Sequence, residues 1–120
     1  MRSRSVLVVE DEAFVAIELA SLLQRSGYRV LGPASTVQQA LALLEDERPD
    51  AALLDLNLGS ERVTAVAIEL KSRNVPFVLV TGFADVREPE LRFAPMLRKP
   101  VSDDGEVRRL LEAMLSPYSN

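Results

Sequence analysis

Three acidic residues stand together at Glu10-Asp11-Glu12, directly after the apolar run Val6-Leu7-Val8-Val9. A fourth, Asp55, follows Ala51-Ala52-Leu53-Leu54 and precedes Leu56. Thr81 closes the run Phe77-Val78-Leu79-Val80, and Lys99 stands between Arg98 and Pro100. Carboxylates, one hydroxyl and one ammonium thus recur at the same kind of place, the end of a short apolar run. If the first and third runs are neighbours, Glu10, Asp11 and Asp55 crowd one pocket. Two like charges about 4 Å apart repel by about 4 kcal/mol at an effective dielectric of 20. Such a cluster needs a cation, a raised pKa or both. Oxygen donors alone select a hard ion. A few carboxylates at an open edge suit Mg2+, which keeps several waters and shares its shell with a phosphate. Lys99 offers a mobile point charge to the same anion. An aspartate can act as a nucleophile and carry a phosphoryl group, to which Thr81 can donate a hydrogen bond.

Taken singly, most of these residues have plainer readings. An acidic residue after a strand is most often a helix N-cap, so Asp11 or Glu12 alone reads as the cap of the next helix. A threonine at a strand end is commonplace, and so is Lys-Pro. Asp55 is different, because a charge inside an apolar run is rarely buried without a partner. The joint pattern, not any member of it, points to a site.

The elements that must position these groups follow from the apolar spacing. Val6–Val9 is a continuous β-branched and leucine run, as in a strand buried on both faces. Val15, Leu19, Leu22 and Leu23 mark one face of a helix over Ala13–Arg25, with Gly27 placed to stop it. Tyr28–Gly32 reads as a second strand. Ser35-Thr36 caps a helix through Val37, Ala40, Leu41 and Leu44 that ends before Pro49. Ala51–Leu56 is a third strand, Val63–Lys71 a third helix, Phe77–Thr81 a fourth strand and Pro95–Lys99 a short fifth. Val107, Leu110, Leu111 and Met114 give a last amphipathic helix over Glu106–Leu115. Strands alternating with helices imply βαβ units, a parallel sheet and right-handed crossovers. The stretch between Thr81 and Met96 contains Pro89 and Pro95, so it can hold at most a short helix near Arg87–Phe93. In an open parallel sheet, ligands bind beyond the carboxyl ends of the strands, where the polar residues above fall.

Composition narrows the classes. The 120 residues are 48% hydrophobic and 27% charged, which fits one globular domain. Lys and Arg number 14 against 18 Asp and Glu, a net charge of −4, so no nucleic-acid footprint is present. With no Cys and no His, disulfide scaffolds, thiolate or imidazole metal sites and histidine acid–base catalysis are excluded. No apolar run approaches the roughly 18 residues of a membrane span. The basic start is cut off from a signal-peptide pattern by Glu10-Asp11-Glu12. A cytoplasmic protein with no membrane association is therefore expected.

On four pieces the chain resembles the receiver domains of two-component response regulators. They are Val6-Leu7-Val8-Val9-Glu10-Asp11-Glu12, Ala52-Leu53-Leu54-Asp55-Leu56-Asn57-Leu58, Val80-Thr81-Gly82 and Lys99-Pro100. The resemblance implies an α/β, flavodoxin-like, doubly wound fold. Its five-stranded parallel sheet has the order 2-1-3-4-5, with helices on both faces and the fourth helix short or irregular. It also implies that Asp55 accepts a phosphoryl group from the phosphohistidine of a sensor kinase, without enzymatic turnover. Asp11 would then be a direct Mg2+ ligand and Glu10 would act on the metal through water. Asn57 would contribute its backbone carbonyl, Thr81 the switch hydroxyl and Lys99 the phosphate contact. The bond to Pro100 would be cis. The fourth strand, Phe77 to Phe83, is similar to that of a Phe-Ala-Thr-Gly-Tyr-like subgroup of single-domain regulators in alphaproteobacteria. Its kinases are of the HWE and related types. Further implied partners are a histidine phosphotransferase or a downstream regulator, with the chain a monomer or weak homodimer.

The chain departs from the family at Met96, where Tyr or Phe is usual, and Phe83 is the candidate to replace the missing ring. The chain ends soon after the last helix, so residues 1–120 are expected to be one receiver domain without an output domain. Its alternative is a fragment of a longer regulator. A pseudo-receiver that binds partners without phosphotransfer is the rival within the fold. A Mg2+-dependent phosphohydrolase usually carries a second acid two residues after its nucleophile, where this chain has Asn57. A flavodoxin would need a phosphate-binding loop after the first strand, and none is visible.

Overall fold

The computed structural model describes residues 3–82, 86–101 and 104–115 of the chain. Strand β1 (Ser5–Val9) is followed by helix α1 (Ala13–Arg25), β2 (Arg29–Ala34), α2 (Val37–Asp46) and β3 (Ala51–Asp55). A small hairpin, β4 (Asn57–Leu58) and β5 (Glu61–Arg62), leads into α3 (Thr64–Ser72). Then come β6 (Phe77–Thr81), β7 (Met96–Arg98) and α4 (Asp104–Leu115). The main sheet has the order β2-β1-β3-β6-β7, and every pairing in it is parallel. Counting only its strands, this is the expected order 2-1-3-4-5.

The period-2 alternation of side chains divides the three central strands between two cores. Leu7, Val9, Ala52, Leu54, Phe77 and Leu79 pack with Ala40 and Leu44 of α2 and with Val66, Ala67 and Leu70 of α3. Val6, Val8, Leu53, Val78 and Val80 pack with Leu19, Leu22 and Leu23 of α1 and with Val107 and Leu111 of α4. Burial on both faces explains the solid apolar runs, and it requires helices on both sides of the sheet.

Some elements match the sequence expectation and others differ from it. The fourth helix, expected to be short or irregular, is irregular: residues 86–95 form turns and no regular helix. That stretch makes single turns with i→i+3 bonds, Leu91 N to Glu88 O at 3.0 Å and Ala94 N to Leu91 O at 3.2 Å. Pro89 has no N–H to continue a helix, and Leu91, almost fully buried, holds the stretch against the core instead. The hairpin β4–β5 was not foreseen. Leu58 pairs with Glu61 across Gly59-Ser60, and Gly59 has φ +63°, a conformation glycine adopts without a Cβ penalty. The Lys99–Pro100 bond is cis, as the resemblance implied, and so is Gly32–Pro33. Phe83 lies outside the described residues.

Candidate functional site

Strand register brings the polar residues to one edge. Val9 pairs with Leu54, so Glu10 and Asp55 emerge at the same level from adjacent strands. Asp55 pairs with Val80, and Thr81 pairs with Arg98, which puts Thr81 and Lys99 one step along the same edge. The Lys99 N–H donates to the Thr81 carbonyl at 3.0 Å, extending that pairing. Asp11, Glu12, Asp55, Asn57, Gly59, Thr81, Gly82 and Lys99 line one cleft of about 400 Å³.

Lys99 is the hub of this cleft. Its ammonium lies 2.8 Å from Glu12 Oε1, 3.2 Å from Asp55 Oδ2 and 3.1 and 3.2 Å from the two oxygens of Glu10. Burial pulls the ammonium pKa down, but hydrogen bonds to Glu12 and Glu10 and the charges of Asp55 and Glu10 outweigh it and hold it above the ordinary lysine value. Asp55 is 5% exposed. Burial first, then the adjacent Glu10 carboxylate, push its pKa up to about 7, against the opposing pull of Lys99. Asp55 Oδ1 also accepts from the Asn57 N–H at 3.3 Å.

The acidic run after β1 behaves differently from a set of helix caps. Glu12 occupies the N-cap position of α1, yet its side chain makes no capping hydrogen bond. Its carboxylate turns to Lys99 instead. Asp11 Oδ2 accepts from the Gly59 N–H at 2.9 Å, so the hairpin turn, not α1, claims that carboxylate. Both contacts escaped the sequence reading; the Gly59-Ser60 dipeptide was the available turn signal. A third unforeseen contact runs outward from the cleft. Arg62 donates to Asn57 Oδ1 at 2.8 Å and makes a two-pronged pair with Glu88, at 2.8 and 2.7 Å. Thr64 Oγ1 adds a bond to Glu88 at 3.1 Å. Arg62 first, with Thr64 and a backbone N–H, holds the Glu88 carboxyl down at about 2 despite burial. Met96, by contrast, is exposed on β7 and does not line the cleft.

The donor set fits a hard cation. Glu10, Asp11, Glu12 and Asp55 each offer a carboxylate oxygen within 4.8 Å of the others. Glu10 Oε1 is buried and accepts no hydrogen bond, since Lys99 is close but misaligned. The Lys99 ammonium 3.1 Å away offsets its charge, but the oxygen still lacks a hydrogen bond and is open to a second cation. With oxygen donors only and an open mouth, the cleft suits Mg2+ better than a transition metal.

Comparison with known proteins agrees with this geometry. The sequence model of the response regulator receiver domain matches residues 6–112. The transcriptional regulatory protein PdtaR of Mycobacterium tuberculosis is 34% identical over 82 residues, covering 68% of this chain and 40% of its own length. This chain therefore spans less than half of that relative. The solution structure of SdrG from Sphingomonas melonis Fr1 is 39% identical, with a TM-score of 0.83, and the match covers 96% of this chain and 99% of that one. SdrG fits the alphaproteobacterial subgroup suggested by the fourth strand. The receiver domain of the sensor histidine kinase PA1611 from Pseudomonas aeruginosa PAO1 is 26% identical, with a TM-score of 0.80 over 95% of this chain and 98% of that one. That structure has a magnesium ion coordinated in its active site cleft.

Proposed function

The chain belongs to the response regulator receiver domain family of two-component systems, and on that premise we propose that it is a switch operated by phosphorylation of Asp55. One observation carries the reading above the rest: a buried aspartate shares a single cleft with two further carboxylates and a lysine ammonium. The phosphoryl donor is the phosphohistidine of a sensor kinase, of the HWE type by the resemblance of the fourth strand. An Asp55 oxygen attacks phosphorus while the histidine nitrogen leaves with the bonding pair, so Asp55 reacts ionised. Glu10, Asp11, Asp55 and the backbone carbonyl of Asn57 would hold Mg2+, which when bound screens the carboxylates and balances charge on the phosphoryl oxygens. Lys99 meets another phosphoryl oxygen, and Thr81, which lines the same cleft, donates its hydroxyl to the group. Positioning and electrostatics do most of the work.

The protein is then a phosphoacceptor that assists its own phosphorylation and dephosphorylation. Its output is a change in protein–protein contacts, toward the kinase, a histidine phosphotransferase or a downstream regulator. Residues 86–95 follow Thr81 in the chain and bond back to the hairpin through Glu88 and Arg62, so they are placed to carry the change. Incubation with Mg2+ and acetyl phosphate, read by intact mass, tests the reading. One phosphoryl adduct is expected on the wild type and none on Asp55→Asn. An unmodified wild type would instead mean a binding module without phosphotransfer.

A further inference from the structure

We propose that Glu12 competes with the incoming phosphoryl group for Lys99, and so sets how readily the site takes up an anion. This rests on Asp55 as phosphoacceptor and concerns the regulation of that same site. An ammonium has three protons and no acceptor. In this cleft Glu12, Glu10 and Asp55 engage all three directions. A phosphoryl oxygen can reach Lys99 only by displacing one of them.

The three contacts differ in what displacement costs. The Glu10 and Asp55 side chains are 0% and 6% exposed, and Glu12 is 62% exposed. Detaching a buried carboxylate leaves an uncompensated charge in a poor solvent. Detaching Glu12 hands its carboxylate to water, and exposed pairs are weakly held. Glu12 is therefore the partner that yields, although its 2.8 Å contact is the shortest. Among the described residues, nothing else at the helix start claims its side chain. The main chain there is fixed by the Glu12 N–H donating to Glu10 Oε2 at 3.1 Å, while the side chain leaves α1 uncapped. An N-cap acid that forgoes the helix N–H groups gives up the usual benefit of that position, and here the Lys99 contact takes its place. Glu12 is a positioning residue in this account, acting through Lys99 and not on the phosphoryl group.

The test is calorimetric titration of the full chain with beryllium fluoride, a phosphoryl mimic, in saturating Mg2+. Wild type is compared with Glu12→Gln and Glu12→Asp, both conservative changes at an exposed position. Aspartate keeps the charge and withdraws the oxygen by about 1.5 Å, one carbon–carbon bond. Both variants are expected to bind the mimic more tightly, by roughly two- to fivefold, the size of an exposed ion pair. Tighter binding by Glu12→Gln alone would show that only the net charge matters and would overturn competition for Lys99. Unchanged binding in both variants would overturn it too. A wild type that binds no beryllium fluoride would defeat the phosphoacceptor reading itself, and this proposal with it.

Discussion

Replacing Asp55 with Asn should stabilise the metal-free protein, although it removes the residue at the centre of the proposed function. Burial and Glu10 raise the Asp55 pKa from 3.8 to about 7. The folded protein thus binds this proton more tightly than the unfolded chain does. By linkage, stability falls as pH rises from about 4 to about 7 and stays low above that range. The difference, 7 − 3.8, is about 3 units, and at 1.36 kcal/mol per unit the ionised carboxylate costs on the order of 4 kcal/mol near pH 8. Asparagine keeps the shape without the charge. For a chain of this size that predicts a Tm increase of roughly 15 °C in EDTA near pH 8. The gain should shrink to less than half near pH 5 and vanish only below about pH 4, where the carboxyl is protonated in the folded and the unfolded chain alike. It should shrink when millimolar Mg2+ is added, because a cation that binds the folded wild type stabilises it by mass action. Melting curves by circular dichroism at the two pH values, with EDTA and with Mg2+, measure all three. An Asn variant that melts no higher than wild type in EDTA at the higher pH, or whose advantage survives unchanged near pH 5, would refute the crowding of negative charge.

Asp11→Asn and Glu10→Gln should each weaken Mg2+ binding, by about tenfold or more for Asp11 and less for Glu10, as a calorimetric titration would show. Glu88→Gln should cost about 1 kcal/mol and speed amide exchange across residues 86–95, because it breaks the two-pronged pair with Arg62. The pH sign is opposite to that of Asp55. The Glu88 pKa is lowered from 4.5 to about 2, so its contribution is complete above about 4.5 and is lost as pH falls toward 2. Phe83→Ala should abolish phosphorylation-dependent partner binding if this ring replaces the aromatic missing at Met96; a pull-down that is unaffected removes that role.

The two-sided burial of the sheet was legible because solid runs such as Val6–Val9 and Leu53–Leu54 permit no solvent-facing edge along the central strands. Helical faces were equally clear in α1 and α4, where apolar residues recur at three- and four-residue spacing. Boundaries were less so. Strand β2 runs on through Pro33 to Ala34, and α4 starts two residues earlier than its apolar pattern. The connection before β7 was legible only as irregular. Its composition allowed a short helix near Arg87–Phe93, whereas Pro89 and the burial of Leu91 select turns.

What the sequence determined by itself is which residues can meet. Carboxylates, hydroxyl and ammonium each close an apolar strand, and parallel strands end together, so Glu10, Asp11, Asp55, Thr81 and Lys99 were bound to share one edge. What only the tertiary structure decided is which of them hold one another. Glu12 turns to Lys99 instead of capping α1, Asp11 accepts from Gly59, and Asn57 is tied through Arg62 to Glu88. Those choices depend on distances between chain segments up to 87 residues apart and on which carboxylate is buried and which is wet. Local pattern carries neither quantity, because the cost of an unpaired charge is set by its surroundings after the chain has folded.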